Sequence, residues 1–199
     1  MSLSGWAVFA GFWVVFVVTP GPNHANCIDN GMRHGFRRAW WGVAAILVQA
    51  TLFLSGASAG VGAVLQGAPE LAAALRLAGA AVLIGLGLRT IWLAARPVRM
   101  AEGAGSIFGR AFLIATFNAK SVAGYLAAFS LFVEPHRPIS TQMWMIMPTA
   151  LSITALSYSA YTALGAWLGR LALGAVLNVW FRRVMGVCFV LYGAVLALV

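Results

Sequence analysis

Lys120 is a charged side chain inside an otherwise apolar segment that runs from Ala111 to Val133. It lies about ten residues into that segment, too deep for its amine to reach either surface easily. A cation near the middle of a bilayer costs roughly 2.5–3.5 kcal/mol on insertion scales, so such charges usually line a cavity or meet a counter-ion. Lys120 is therefore a candidate binding residue. The structural alternative is that it donates to carbonyls left free by a broken helix.

The triplet Pro20-Gly21-Pro22 interrupts another apolar stretch, which begins near Leu3. Its two prolines lack backbone N–H donors and break the helical hydrogen-bond ladder. At membrane depth the freed carbonyls need protein, water or a polar solute, and transporters place substrate and ions at such breaks. The alternative is that the first helix simply leaves the membrane at Pro20.

Three further polar residues accompany these two features. Asn23 and Asn118 lie next to the Pro-Gly-Pro triplet and Lys120, and each amide could bind an amino-acid backbone or replace a lost helical hydrogen bond. Hydrogen bonding between neighbouring helices explains both residues equally well. Asp29 is the acid nearest the triplet and could pair with Lys120 or accept a coupling proton. The favoured interpretation is a solvated cytoplasmic residue beside Arg33.

The composition indicates an integral membrane protein and excludes several other classes. The 199 residues are 62% hydrophobic and 9% charged, with four acidic residues, which cannot cover the surface of a soluble globule. The net charge of +9 comes from basic residues between apolar segments, where it favours anionic lipid headgroups over nucleic acid. No removable signal peptide is expected.

Neither an enzyme nor a metal or cofactor site is expected. Cys27 and Cys188 form no CxxC pair, and the histidines at 24, 34 and 136 show no ligand spacing. No Ser–His–Asp, Walker or dinucleotide pattern is present in the sequence.

Six apolar segments predict an all-α protein with six transmembrane helices in a single domain, 1–199. Their bounds are Leu3–Val18, Ala39–Ala68, Leu71–Ala95, Ala111–Val133, Ile139–Gly169 and Val184–Val199.

Basic residues in the connections predict the orientation. Nine arginines fall in connections one–two, three–four and five–six, against one in the Glu134–Arg137 turn on the side that also holds Glu70. The nine are Arg33, Arg37, Arg38, Arg96, Arg99, Arg110, Arg170, Arg182 and Arg183. The positive-inside rule places these connections in the cytoplasm and both termini outside the cytoplasmic membrane.

The two halves, about 1–95 and 96–199, suggest an inverted repeat. A shift of 98 positions lays Pro20-Gly21-Pro22 over Asn118-Ala119-Lys120 and the second segment over the fifth. Three spans per half is an odd number, so the second half would insert upside down. Interrupted helices at matching positions of such halves point to a central transport site.

The order of these motifs resembles the lysine-exporter (LysE/RhtB) family. Pro20-Gly21-Pro22, then Gly31 and Gly35 before a basic pair, carries the most specific part of the resemblance. The Arg76–Arg89 stretch, the Asn118–Lys120 helix and the closing stretch from Met185 to Gly193 resemble the family's third, fourth and last helices, so the likeness covers nearly the whole chain.

Two departures from the family pattern bear on the substrate. The family's Asn-Pro-Lys is Asn118-Ala119-Lys120, which predicts a milder second break, and a later proline is replaced by Ser130. The resemblance implies a small six-span exporter of amino acids or related metabolites, proton-coupled and working by alternating access. The substrate would bind at Pro20, Gly21, Pro22, Asn23, Asn118 and Lys120.

Three alternatives to an amino-acid exporter remain. The same fold could move another solute, such as an inorganic or organic cation. An electron carrier would need Cys27 and Cys188 in contact, and a non-transporting scaffold would leave Lys120 unexplained. Small-residue faces on spans two and three could serve a homodimer or the helix bundle.

Overall fold

The computed structural model describes residues 2–67, 69–96, 106–134, 137–169, 171 and 178–198. Arg99, His136 and Arg170 lie outside these residues, as do the side chains of Glu70 and Ala119. Seven helices and no strand occur in the described part of the chain. They are α1 (Leu3–Val18), α2 (Pro22–Gly67), α3 (Pro69–Trp92), α4 (Ile107–Thr116), α5 (Ala119–Phe132), α6 (Ile139–Leu168) and α7 (Val179–Leu198).

The all-helical architecture confirms the predicted α class, but several arginines lie elsewhere than expected. The last helix begins at Val179 rather than Val184, because the apolar run of the sequence starts later than the helical backbone. The predicted fourth segment is two helices, α4 and α5. Helix α2 begins at Pro22 rather than at Ala39, and α4 begins at Ile107 rather than at Ala111. Because of these earlier starts, six arginines that were expected in connecting loops belong to helices, namely Arg33, Arg37, Arg38, Arg110, Arg182 and Arg183.

Helix α2 contains one residue that is not helical. Gly35 has φ 68° and ψ 165°, and this divides α2 into residues 22–34 and 36–67. Glycine adopts a positive φ more easily than other residues do, and the basic pair that follows Gly35 in the sequence therefore comes just after a kink.

One helix of the described residues, Pro22–Ala59, is long and apolar enough to cross a membrane by the criteria of length and hydropathy. Shorter apolar helices are Leu3–Val18, Ala80–Trp92 and Ile107–Thr116.

Two apolar clusters form the interior. The larger one takes aromatic residues from α1 and α5, among them Phe9, Trp13 and Phe129, together with side chains of α2, α3, α6 and α7. The smaller one joins both parts of α2 to α4 and α6, and includes Ile28 and Ala115. Along the chain, each interruption, between α1 and α2 and between α4 and α5, falls between residues of these two clusters.

Glycines bring the main helix pairs close together. A Cβ at Gly31 would lie 2.2 Å from the Thr162 carbonyl oxygen, and one at Gly165 would lie 2.3 Å from that of Ile28, so α2 and α6 cross with backbones in contact. A Cβ at Gly87 of α3 would lie 2.6 Å from the Gly186 carbonyl oxygen of α7. Small residues at such crossings are typical of membrane helix bundles.

Candidate functional site

The Pro-Gly-Pro triplet separates two helices. Helix α1 ends at Val18 and α2 begins at Pro22, which leaves Thr19, Pro20 and Gly21 outside both. Pro22 occupies the first position of α2, where a missing N–H costs nothing. Pro20 and Gly21 are buried, whereas Pro22 is exposed. A new helix therefore begins at the last residue of the triplet.

Side chains bond the carbonyls at the end of α1. The Val18 oxygen accepts from the Tyr161 hydroxyl at 3.0 Å, and the Val15 oxygen, which already accepts from the Thr19 backbone N–H, also accepts from the Thr19 hydroxyl at 2.6 Å. His24 donates from Nε2 to the Val17 oxygen. These bonds supply the hydrogen-bond partners that backbone groups require when a helix is interrupted in apolar surroundings.

A second interruption separates α4 from α5. Phe117 and Asn118 lie between the two helices, and the Asn118 side chain accepts from the Lys120 backbone N–H at 3.1 Å as the N-cap of α5. Asparagine is a favoured capping residue, so the helix is interrupted at Asn118 although the next position holds alanine instead of the proline of the family pattern. This break leaves two residues outside the helices, against three at the first.

Lys120 connects the two interruptions. Its amine donates to the Thr19 carbonyl oxygen at 2.5 Å and lies 5.1 Å from the centre of the Phe16 ring. Gly21 packs against the stem of the same side chain, since a Cβ at Gly21 would lie 3.7 Å from Lys120 Cδ. The contact proposed as the structural alternative, a bond from Lys120 to the broken helix, is therefore present.

Aromatic and polar side chains of α2 and α6 surround this point. His24 and Asn23 are 1% and 2% exposed. The His24 ring lies 4.7 Å from Tyr161 and 5.0 Å from Tyr158, centre to centre, and the Tyr158 hydroxyl interacts with Asn23. The sequence pattern raised His24 only as a possible metal ligand, and it did not point to either tyrosine. Their spacing of three, which places both on one helix face, was the available signal.

Asp29 lies apart from Lys120. It is 4% exposed and pairs with Arg33 at 2.6 Å and with Arg110 at 3.0 Å. The interpretation as a solvated residue is wrong, although the predicted neighbour Arg33 is correct. The cause is Arg110, which reaches from α4 and encloses the carboxylate between two helices. Of the predicted residues, the structure brings together Gly21, Asn118 and Lys120, while Asp29 belongs to a separate cluster.

Both cysteines are free thiols. Cys27 is buried in the smaller apolar cluster, and Cys188 is not among the described residues packed there. The contact that an electron carrier would require is not seen.

Comparison with known proteins places the chain among membrane translocators. An uncharacterized membrane protein of Vibrio cholerae is 26% identical over 99% of this chain and 98% of its own length. A homoserine/homoserine lactone efflux protein of Salmonella typhi is 24% identical over the same shares. A leucine efflux protein of an Enterobacter species is 25% identical over 80% of this chain and 77% of its own length.

No solved structure matches the chain. A family model described as LysE type translocator matches residues 14–199. Since this match covers nearly the whole chain, the protein belongs to the LysE type translocator family.

Proposed function

We propose that the protein is a secondary exporter of amino acids or related small metabolites in the cytoplasmic membrane. It would work by alternating access around a central site between the two helix interruptions. The bond from Lys120 to the Thr19 carbonyl carries this proposal, because it joins a cation and unwound backbone at one point. Relatives named leucine efflux and homoserine/homoserine lactone efflux proteins support this class of substrate.

The proposed architecture has six spans in two inverted halves. Helix α1 has 16 residues, or about 24 Å, which is shorter than the roughly 30 Å of a bilayer core. With residues 22–34 of α2 it would form one broken span, and α4 with α5 would form the matching one. The segment 36–67 and helices α3, α6 and α7 complete the six.

In this site the substrate would use the groups that now bond each other. The Lys120 amine would meet the substrate carboxylate, and the Thr19 and Val18 carbonyls would meet its ammonium group. Pro20, Gly21 and Pro22 keep the backbone open, while Asn23 and Asn118 flank it. A half-buried amine and freed carbonyls match the two ends of a zwitterion.

The direction and coupling of transport are further parts of the proposal. The basic ends of the connections would face the cytoplasm and both termini would face outward. Protons would drive export, and Asp29 is the candidate coupling acid because it is a buried acid on the helix that follows the first interruption.

Uptake into everted membrane vesicles tests the proposal. Labelled leucine, homoserine and a wider amino-acid panel are offered with and without an imposed pH gradient, beside vesicles that lack the protein. Accumulation of one class that depends on the protein and the gradient is expected. If no amino acid accumulates although the protein is correctly inserted, the amino-acid assignment is wrong.

A further inference from the structure

Arg110 is the centre of a second buried polar cluster. Its Nε donates to Asn26 Oδ1 at 3.2 Å, and its Nη2 donates to Asp29 Oδ2 at 3.0 Å and to Asn30 Oδ1 at 3.1 Å. The three partners occupy one face of α2, at spacings of three and four residues. A single guanidinium from α4 thus holds three side chains of α2.

The two asparagine amides of this cluster have NH₂ groups that donate no hydrogen bond within the described structure. Arg110 has only donors, so it fixes which end of each amide faces it and turns both NH₂ groups away from it. Asn26 and Asn30 are 5% and 1% exposed, and within the described structure neither Nδ2 has a hydrogen-bond partner. Unpaired buried donors are costly, and here two of them border one guanidinium.

A surface pocket borders the cluster. It has a volume of about 590 Å³ and its lining includes His34, Arg38 and Ile107. Gly42 links pocket and cluster, because a Cβ there would lie 3.5 Å from Ile107 Cγ2 and 3.2 Å from Asn30 Nδ2. The pocket is therefore lined by basic side chains and has an amide donor of the cluster near its border, which favours an anion.

The cluster also ties the two broken helices together on one side of the interruptions. Asp29 follows the first break and Arg110 precedes the second. On the other side, between α1 and α5, Phe16 fills the space beside Gly124, where a Cβ would lie 2.0 Å from the ring. Separating α2 from α4 on the pocket side requires Arg110 to release Asp29.

We propose that Arg110, Asn26 and Asn30 form a carboxylate-binding subsite on the cytoplasmic side of the central site. Asp29 occupies the subsite in this structure, and a substrate carboxylate displaces it at the start of export. Arg33, four residues along the same helix, retains Asp29 after the exchange. The role of this subsite in the transport cycle rests on the proposed export function. Its ability to bind a carboxylate rests on the contacts of Arg110.

Binding of a minimal carboxylate to the purified protein tests the subsite. Propionate is titrated against the unaltered protein and Asp29→Asn, with propionamide as the uncharged probe and tryptophan fluorescence as the readout. Asp29→Asn removes the competing charge while an amide oxygen still accepts from Arg110, so propionate should bind about tenfold more tightly. Propionamide should show no such gain.

Two variants control this measurement. Glu134→Gln removes a carboxylate that pairs with Arg137 far from the cluster, and it should leave propionate binding unchanged. Adding Arg110→Gln to Asp29→Asn should abolish the gain. An equal gain in Glu134→Gln, a gain that survives Arg110→Gln, or no gain in a folded Asp29→Asn protein would overturn the proposal.

A second measurement needs no variant. Phenylglyoxal modifies arginine side chains, and mass spectrometry of the unaltered protein reports modification of Arg110, whose side chain is 21% exposed. Propionate should protect Arg110 and propionamide should not, whereas equal modification in both would contradict the subsite.

The outcomes separate the subsite from the export function. Amino-acid uptake into vesicles without any effect of propionate leaves the exporter standing and removes the subsite. Propionate binding without uptake of any amino acid keeps the subsite and redirects the search to other carboxylates.

Discussion

At the scale of single residues, charged side chains bond backbone carbonyls that have no partner within the apolar helices. Lys120 bonds a backbone carbonyl that α1 cannot use, and Arg182 bonds three carbonyls beyond the end of α3. Backbone carbonyls without partners are costly in a membrane, so each of these side chains removes a penalty as well as adding a contact.

Lys120 is the single lysine of the chain, which makes its amine a specific reporter. A transported amino acid should slow its reaction with an amine-directed reagent, measured by peptide mass spectrometry.

Lys120→Met keeps most of the stem but removes the charge and the donor. Initial export should fall at least about tenfold, because a charge-assisted hydrogen bond is lost. Undiminished export by a correctly inserted Lys120→Met protein would remove Lys120 from the site.

Arg182 should be essential for stability, unlike its neighbour in sequence. Its guanidinium donates to the carbonyls of Ala94, Arg96 and Leu93 at 2.6, 2.7 and 2.8 Å. Arg182→Gln should lower the free energy of unfolding by about 3 kcal/mol, measured in detergent. The matched control is Arg183→Gln, since Arg183 is exposed against Trp180 and its loss should cost under about 1 kcal/mol. Equal effects of both variants would contradict this role.

At the scale of elements, two different local devices interrupt the two helices. Proline and glycine break the first, while an asparagine cap begins α5 after the second. Gly35 adds a kink within α2. These interruptions place helix ends, with their free backbone groups, inside the bundle, where side chains from α5 and α6 meet them.

The crossing of α2 and α6 should depend on Gly31. A methyl group there would lie 2.2 Å from the Thr162 carbonyl oxygen, so Gly31→Ala should separate the helices and cost about 1–3 kcal/mol. Gly56→Ala on the same helix is the control, because nothing beyond the adjacent backbone of its own helix lies within 4 Å of a Cβ there and alanine favours helix. Thermal unfolding should show a lower midpoint for the first and an equal or higher one for the second. A neutral Gly31→Ala would mean that the crossing adjusts freely.

At the scale of the whole molecule, each interruption falls, along the chain, between residues of the two apolar clusters. The larger cluster packs α1 against α5, and the smaller one packs both parts of α2 against α4 and α6. Of the side chains that bond across the interruptions, Lys120 lies between cluster residues along the chain and Tyr161 belongs to the smaller cluster. Two separately packed ends joined at a polar middle suit a bundle that opens at one end at a time.

The proposed orientation predicts which surfaces a reagent can reach. In a Cys27→Ser, Cys188→Ser background, Ser4→Cys should react with a membrane-impermeant maleimide in intact spheroplasts. Arg37→Cys should react only after permeabilisation, because the positive-inside rule places it in the cytoplasm. Ser4 and Arg37 are both exposed, so access depends on the side of the membrane. The reverse labelling pattern would invert the proposed topology.

The sequence by itself determined the helical class, the bounds of α1 and α6 to within one residue, the sites of both interruptions and the family. The length of apolar segments, proline chemistry and motif spacing are local properties, so they can be read along the chain. Only the tertiary structure decided the partners of the buried polar groups. Arg110 was assigned to a loop and Asp29 to solvent, yet they meet across 81 positions of sequence. Such pairs depend on how α2 packs against α4, and no pattern within either helix specifies that packing.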